Sequence, residues 1–274
     1  MPHRIDLRGS IKHLLLRLVP CRRQAWAVHR ATGLHFRVRV RDVVGRHIMR
    51  YQAYEPALTD WLLAGFEQSP DATQQVFVDV GANLGWYSLQ AANHPKVHRV
   101  VAIEPDAGNQ LLLQTNVERN GLDGKTALVA CAIGAGQGMA QLHRYRETNL
   151  GRHSLLADHG HGSTWVPVET IDGLLQSMGL PDAPIAAIKI DVEGYEPAVL
   201  LGAQLALRRA RALLVELSPA LSRSGGLDLP AMLDVIADAG FVPDIWDQPG
   251  AVPDFDGLRN HPGQVTVGFR RHDG

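Results

Sequence analysis

The chain has 274 residues, 45% of them hydrophobic, so it is long enough to bury a sizeable core in one large domain with an appendage. Its net charge of −1 is unevenly distributed, because residues 1–50 carry a net charge of +10 and the remainder carries −11. No apolar run approaches the ~20 residues of a membrane span, and the apolar segment at residues 11–19 is too short and too charged for a secretory signal.

The two cysteines and the basic N-terminal segment give weaker indications. Cys21 and Cys131 have no spacing typical of a metal site, which is compatible with the reducing cytoplasm, where we expect this protein. A basic segment beside an acidic remainder can bind an acidic partner, a membrane or a nucleic acid. We favour the simpler interpretation that this segment packs over the acidic domain.

Residues 1–70 predict an N-terminal extension built from helices and a hairpin. The first ~24 residues predict a basic amphipathic helix followed by a loop. Residues 25–40 predict a β-hairpin with Thr32 and Gly33 in its turn. A helix is predicted over 51–67, because apolar residues recur there at helical spacing and Pro56 is tolerated in a first turn.

Residues 71–274 predict one α/β domain. Short apolar strands alternate with helical patterns, which is typical of a parallel sheet covered on both faces. The predicted strands are 76–80, 99–104, 127–133, 185–191 and 212–217, and the predicted helices are 84–93, 107–120, 195–207 and 229–239. Residues 138–170 interrupt the alternation with two strand-like segments, and residues 241–247 and 265–271 predict a closing pair whose last strand is antiparallel.

A glycine-containing turn, Gly81 to Gly85, follows the first predicted strand of this domain. In doubly wound sheets, ligands bind beyond the carboxyl ends of the strands, and glycines let the backbone approach them closely. Glu104 ends the next strand 19 residues after Gly85, near the ~20-residue offset expected for an acid that binds ribose hydroxyl groups. This pattern predicts an adenosine-bearing ligand.

Two adenosine-bearing ligands fit the turn, a dinucleotide and S-adenosylmethionine. The turn lacks the third glycine of the dinucleotide fingerprint, and the bulky Trp86 follows where a pyrophosphate group would lie. Asp79, just before the turn, suits the amino-acid end of a small zwitterion. These residues favour S-adenosylmethionine.

Several motifs then occur together and in order: VFVDVGANLGWYS, VVAIEPD, NVERNGL, TIDGLL and IKIDVEGYEPAVLLGA. From about residue 42 to about residue 219, the chain thereby resembles the FkbM family of S-adenosylmethionine-dependent methyltransferases. The resemblance implies a Rossmann-like, seven-stranded methyltransferase sheet, mostly parallel with an antiparallel last strand. It also implies S-adenosylmethionine as the cofactor and O-methylation of hydroxyl groups on sugars, glycans or natural products as the activity.

The resemblance implies cofactor contacts from the glycine turn and from the extension. The methionine part of the cofactor would contact residues in and around the turn, namely Asp79, Gly81, Asn83, Gly85 and Ser88. Tyr54 and Glu55 would fold over the cofactor as part of a lid. The structural alternative for Asn83 is a helix cap.

The same resemblance implies contacts to the adenosine part of the cofactor. Glu104, with Pro105 after it, would bind the ribose hydroxyl groups. Cys131 and Ala132, at the end of the third predicted strand, would border the adenine ring. The structural alternative for Glu104 is a plain acid at the end of a strand.

Methyl transfer is an in-line displacement at a sulfonium carbon, so the protein mainly has to align the donor and the acceptor. A hydroxyl acceptor also benefits from a base that removes its proton. Asp191 follows the fourth predicted strand beside the expected methyl position, and we predict that it contacts the cofactor and is the base or orients the acceptor. Lys189 lies two residues earlier on the same face and is a second catalytic candidate, although an ion pair with a neighbouring carboxylate explains it better.

Three further groups of polar residues are candidates for the same site. Glu216 ends the fifth predicted strand and can face the pocket, whereas Glu193 is suited to capping the helix that follows it. The loop at residues 149–162 contains three histidines, of which His153 is the best candidate for a base. Their irregular spacing argues against a metal site, so no metal is predicted.

Three other functions stay open: a nicotinamide dehydrogenase, a binding module without activity, and a methyltransferase that acts on nucleic acids or amines. Methylation of nucleobase amines favours an Asp/Asn-Pro-Pro-aromatic turn after the fourth strand, where this chain has Asp-Val-Glu-Gly. Cys131 lies inside a predicted strand, which disfavours a covalent cytosine mechanism. We therefore expect a small-molecule or glycan hydroxyl as the acceptor, and the sequence does not determine the oligomeric state.

Overall fold

The computed structural model describes residues 6, 9–11, 13–14, 24–68, 75–145 and 153–271. The basic helix predicted for the first ~24 residues lies mostly outside these residues, although residues 9–11 and 13–14 are helical. None of the helices in the described ranges has the length and the apolar content that a membrane span requires.

Strands and helices alternate through most of the described chain. The strands are β1 Gln24–Val28, β2 His35–Arg39, β3 Gln75–Val80, β4 Val97–Ile103, β5 Thr126–Val129, β6 Ala132–Ile133, β7 Gly138–His143, β8 Ser163–Glu169, β9 Ile185–Ile190, β10 Ala212–Leu217, β11 Phe241–Trp246 and β12 Val265–Arg271. The helices are α1 Val43–Tyr51, α2 Pro56–Glu67, α3 Trp86–Asn93, α4 Ala107–Arg119, α5 Ile171–Ser177, α6 Glu196–Leu201, α7 Gln204–Arg209, α8 Pro219–Ser224, α9 Leu229–Asp238 and α10 Phe255–Arg259.

The main sheet has seven strands in the order β11-β12-β10-β9-β3-β4-β5. The pairs from β10 to β5 are parallel, and β12 is antiparallel to both of its neighbours. Every residue of β3 and of β9 is buried, because apolar side chains pack on both faces of these central strands. The predicted Rossmann-like methyltransferase sheet, with its antiparallel last strand, is confirmed.

The predicted N-terminal hairpin is present and packs against this domain. β1 and β2 pair in an antiparallel register in which Ala27 lies opposite Phe36. Phe36 is fully buried in the same apolar cluster as Phe77 of β3. Asn116, on α4, accepts a hydrogen bond from the backbone of Arg37 in β2 at 2.6 Å, so a polar contact also fixes the hairpin to the domain.

The strand predicted over 127–133 is wrong as a single element. β5 pairs with β4 in the main sheet, whereas β6 pairs with β8 in a separate three-stranded sheet of order β6-β8-β7. Cys131 lies in a bend between β5 and β6 rather than inside a strand. The apolar run has no Gly or Pro to mark this break, and pairing with distant strands decides it.

Several helix predictions also need correction. The helix predicted over 51–67 begins only at Pro56, and the unpredicted α1 precedes it, capped by Asp42, which accepts a hydrogen bond from Gly45 N at 3.1 Å. The helix predicted over 195–207 is divided into α6 and α7. The remaining unpredicted helices, α5, α8 and α10, have five to seven residues each, which is too short for helical periodicity to be recognised.

Candidate active site

The turn between β3 and α3 has three residues with left-handed backbone angles: Gly81 at φ 77°, Asn83 at φ 51° and Gly85 at φ 92°. A Cβ atom on Gly81 would lie 1.9 Å from the carbonyl oxygen of Asp191, and one on Gly85 would lie 2.4 Å from Leu113 Cδ1. Both positions therefore require glycine for backbone conformation and for packing. The contact of Gly81 with Asp191 places the turn directly beside the end of β9.

Glu104 joins this turn to the next one. Its Oε2 accepts a hydrogen bond from Asn83 N at 2.8 Å, and its Oε1 accepts one from Asp106 N at 2.9 Å. Burial raises the pKa of Glu104 to about 7, although these backbone hydrogen bonds favour the ionised form. The carboxylate thus fixes the turns after β3 and β4 while it lines a cavity.

A first cavity of about 580 Å³ lies over the ends of β3 and β4. Eight of the residues predicted from the sequence line it: Gly81, Asn83, Glu104, Pro105, Cys131, Ala132, His153 and Asp191. Most of its other walls are apolar, as at Ile103, Ile133 and Leu142. The cavity therefore combines a buried carboxylate with an apolar slot, a lining that is typical of small-molecule sites.

A second cavity of about 760 Å³ lies on the other side of the glycine turn, beneath the N-terminal extension. Aromatic and polar side chains line it, including Tyr54, Trp86, Tyr87, Lys189, Glu193, Glu216 and Gln264. Gly81, Asn83 and Asp191 line both cavities. The two cavities therefore meet at the turn, and Asp191 faces each of them.

Four of the predicted cofactor contacts line neither cavity: Asp79, Gly85, Ser88 and Glu55. Asp79 is 1% exposed and accepts a hydrogen bond from Ser88 Oγ at 2.6 Å, so both side chains lie beneath the turn. Glu55 accepts a hydrogen bond from Tyr87 Oη at 2.7 Å, which ties the extension to α3. Tyr54 lines the second cavity rather than the first, and its role in a lid stays a prediction.

Lys189 is buried at the centre of the site and forms the ion pair considered above. Its Nζ lies 3.2 Å from Asp191 Oδ2 and 3.5 Å from Asp79 Oδ1, and it donates a hydrogen bond to Gly81 O at 2.8 Å. Burial by itself lowers the pKa of Lys189, but Asp191 and Asp79 outweigh it and raise the pKa above its ordinary value. Lys189 therefore stays charged and is unsuited to act as a base. The Asp191 side chain is 38% exposed and remains accessible.

Carboxyl groups gather at the ends of β9 and β10. Oxygen atoms of Asp191, Glu193 and Glu216 lie within 4.8 Å of one another. Burial, reinforced by Asp191 and Glu193, raises the pKa of Glu216 well above its ordinary value. At the start of α6, Tyr195 makes no side-chain cap, and Glu196 Oε1 accepts a hydrogen bond from Gly194 N at 2.9 Å. The capping role of Glu193 stays a prediction.

His153 lies beside the first cavity. Its Nε2 is 3.9 Å from Asp106 Oδ2, and its Nδ1 accepts a hydrogen bond from Tyr145 N at 2.9 Å. Burial lowers the pKa of His153, although Asp106 raises it in part. His153 lines the first cavity and not the second, which separates it from Glu193 and Glu216.

Comparison with known proteins identifies the family. Residues 79–243, more than half of the chain, match the family model described as the methyltransferase FkbM domain. The chain belongs to the FkbM methyltransferase family. The structure shows how this FkbM domain is extended at its N-terminus, since the hairpin, α1 and α2 all precede the matched range.

Solved structures that resemble this FkbM protein include other methyltransferases. Methyltransferase FkbM from Methylobacillus flagellatus is 22% identical, with a TM-score of 0.43. The match covers 72% of this chain and 44% of that chain, so this chain spans less than half the length of the Methylobacillus protein. Precorrin-6y C5,15-methyltransferase from Geobacter metallireducens is 13% identical, with 79% and 87% covered and a TM-score of 0.40. TYW2 from M. jannaschii, in complex with AdoMet, is 13% identical, with 93% and 90% covered and a TM-score of 0.42. A comparison with curated protein sequences finds no match.

Some residues that line the two cavities were missed by sequence reasoning. Asn109 and Tyr195 line the first cavity, and Tyr87 and Gln264 line the second. Asn109 and Tyr87 are on the helices that follow the two predicted turns, so helical spacing from those turns could have indicated them. Gln264 comes just before β12, far from the family motifs, and no sequence signal points to it.

Proposed function

We propose that the protein transfers a methyl group from S-adenosylmethionine to a hydroxyl group of a sugar, a glycan or a natural product, in the cytoplasm. The observation that carries this proposal is the meeting of two cavities at Gly81, Asn83 and Asp191. A group-transfer enzyme needs the donor and the acceptor on opposite sides of one point, aligned for reaction. The methyltransferase family supports the type of reaction.

The residues of the first cavity fit the adenosine part of S-adenosylmethionine. Glu104 Oε2 accepts one backbone hydrogen bond, and a carboxylate oxygen has capacity for a second, which suits a ribose hydroxyl donor. The apolar walls at Ile103, Ala132 and Ile133 suit a planar ring. When bound, S-adenosylmethionine supplies a methyl group attached to a positively charged sulfur.

Asp191 is the residue that we assign to the acceptor hydroxyl. It lines both cavities, so its carboxylate can accept a hydrogen bond from a hydroxyl group placed in the second cavity beside the donor. Lys189 Nζ, 3.2 Å from Asp191 Oδ2, holds this carboxylate in place. Asp191 thereby orients the acceptor and receives its proton as the new bond forms.

The charge of the second cavity favours an acceptor without phosphate groups. Among the described residues, Asp191, Glu193 and Glu216 line it together with a single lysine, Lys189. Carboxylates repel the phosphate backbone of a nucleic acid, whereas they accept hydrogen bonds from hydroxyl groups. This is the reason to prefer a hydroxyl-rich small molecule or glycan to a nucleic acid.

A transfer assay with isotope-labelled S-adenosylmethionine tests the proposal. The acceptor panel contains sugars, glycans, hydroxylated polyketides, amines and nucleic acids, and mass spectrometry locates the added methyl group. We expect an O-methylated product with the unmodified protein and none with Asp191→Asn. Label transferred to nitrogen or to nucleic acid would contradict O-methylation, and cofactor binding without transfer to any acceptor would favour a binding module.

A further inference from the structure

The three carboxyl groups of the second cavity are brought together by the register of two neighbouring strands. β9 and β10 are parallel, with Val215 opposite Ile190, so the residues that follow each of them lie side by side. Asp191 comes directly after β9, and Glu216 is near the end of β10. Glu193 adds its carboxylate from the loop after β9, and oxygen atoms of the three residues lie within 4.8 Å of one another.

Positive charge near this cluster is scarce. Lys189 is the only Lys, Arg or His among the described residues that line the second cavity. Its Nζ already contacts Asp79 Oδ1 and Gly81 O in addition to Asp191 Oδ2. Asp79 and Asp191 therefore already share this one ammonium group, and the described residues contribute no second basic side chain to the cavity, which favours a further cation there.

The Glu216 carboxylate provides a second, independent indication of a ligand. Its Oε2 is buried and has no hydrogen-bond partner within the described part of the chain. Buried polar atoms in proteins are normally hydrogen-bonded, so an orphaned oxygen that lines a cavity indicates an absent ligand. Gln264 Nε2 donates a hydrogen bond to Glu193 Oε2 at 3.3 Å and so fixes a second carboxylate of the cluster.

We propose that Asp191, Glu193 and Glu216 hold one divalent cation of the oxygen-preferring class, such as Mg²⁺ or Mn²⁺, in the acceptor cavity. Such cations bind oxygen at roughly 2.0–2.6 Å, so oxygens around one ion lie at most about 4–5 Å apart, which the cluster satisfies.

This inference rests on the proposed function and narrows its substrate class. A cation at this position leaves coordination sites toward the cavity and lowers the pKa of a hydroxyl group that it binds. Two adjacent oxygens on the acceptor, as in a vicinal diol or a hydroxy ketone, chelate such an ion. Asp191 then binds the cation and hydrogen-bonds the acceptor hydroxyl, while Glu193 and Glu216 act only through the cation.

Titration of the full chain with Mn²⁺, followed by the electron paramagnetic resonance signal of the free ion, tests the site without cofactor or acceptor. We expect one bound Mn²⁺ per chain. Glu216→Gln and Glu193→Gln should each weaken binding roughly tenfold or more, as loss of a metal contact does. Glu118→Gln, an exposed change on α4, is the matched control and should leave binding unchanged. Thermal unfolding checks each fold, and Glu193→Gln decides the outcome if Glu216→Gln does not fold.

Absence of bound Mn²⁺, or equal binding by all four proteins, would overturn the cation site. The Mn²⁺ titration tests the cation site independently of the proposed reaction, because it measures binding and not turnover. If the protein binds no Mn²⁺ and methyl transfer proceeds unchanged in the presence of a metal chelator, the cation site is overturned and the proposed reaction stands. Specific Mn²⁺ binding without transfer to any acceptor would support the cation site and contradict the proposed reaction.

Discussion

Glu104 combines a structural role with the binding role that we propose for it, at a single side chain. Its two carboxylate oxygens accept hydrogen bonds from the backbone of Asn83 and Asp106, and the same carboxylate lines the first cavity. A hydroxyl group donates to the ionised form more strongly than to the protonated acid. Because burial raises the pKa of Glu104 to about 7, its ionisation changes within the range of ordinary assays.

The affinity for S-adenosylhomocysteine should therefore depend on pH. Above about pH 7 Glu104 is ionised and affinity should be constant, and below it affinity should fall by up to about tenfold per pH unit as the carboxylate takes up a proton. Glu104→Ala should lose about 1.5–3 kcal/mol of binding free energy at high pH and show a flat profile. Calorimetric titration across this range measures both effects, and a flat profile for the unmodified protein would contradict the role of Glu104.

Substitutions of Asp191 and of His153 should affect different kinetic quantities, turnover in the first case and cofactor affinity in the second. Asp191 lines both cavities, so Asp191→Asn should keep the fold and much of the cofactor affinity while turnover falls about 10²–10⁴-fold. His153 lines only the first cavity, so His153→Ala should weaken cofactor binding and leave turnover at saturating cofactor nearly unchanged. Steady-state kinetics on the true acceptor compares them. A fully active Asp191→Asn protein, or an inactive His153→Ala protein that binds cofactor, would reverse the assignment.

At the scale of elements, the turn between β3 and α3 is held as much by packing as by its own conformation. Gly81 contacts the backbone at the end of β9, and Gly85 contacts Leu113 on α4. Lys189 Nζ reaches the carbonyl oxygen of Gly81 from within β9. The turn is therefore a fixed part of the site before any ligand binds.

Replacing Gly81 should destabilise the protein more than replacing a glycine that has a similar backbone conformation but no close neighbouring atoms. Gly81→Ala combines a left-handed φ of 77° with a steric clash against Asp191, and we expect a loss of about 2–5 kcal/mol of unfolding free energy. Gly121→Ala has a similar φ of 66° but nothing within 4 Å, so about 1–2 kcal/mol is expected. Urea unfolding measures both. Equal losses would show that the contact with β9 contributes nothing.

The sequence allowed the strands beside the candidate site to be predicted better than the exact residues at which strands begin and end. Glu104 and Asp191 were predicted to lie together because each follows an apolar run that forms a central strand, and the carboxyl ends of such strands meet at one edge of the sheet. Both residues line the first cavity. The division between β5 and β6 and the position of Gln264 depend on contacts between distant segments. Local patterns carry no information about such contacts.

At the scale of the whole molecule, the N-terminal extension and the methyltransferase sheet share one apolar core. Phe36 of β2 lies 5.0 Å from Trp86 of α3, measured between ring centroids, and both belong to the cluster that contains Phe77. Trp86 Nε1 donates a hydrogen bond to Thr59 of α2 at 3.0 Å. The extension therefore forms one wall of the second cavity and part of the core of the sheet.

Truncating Phe36 should accordingly destabilise the whole chain. Phe36→Ala removes a fully buried ring, and we expect a loss of about 3–5 kcal/mol. Because the core is shared, unfolding should stay a single transition when it is followed both by tryptophan fluorescence and by circular dichroism. Two separate transitions, with the sheet unfolding as in the unmodified protein, would show that the extension is an independent unit.

The crystal structure of the protein with bound S-adenosylmethionine tests the central claim most directly. We predict adenosine in the first cavity, its ribose hydroxyl groups at Glu104, and the methyl-bearing sulfur at the junction formed by Gly81, Asn83 and Asp191, with the methyl group directed into the second cavity. A cofactor bound in the second cavity, or one whose methyl group faces away from Asp191, would contradict the account.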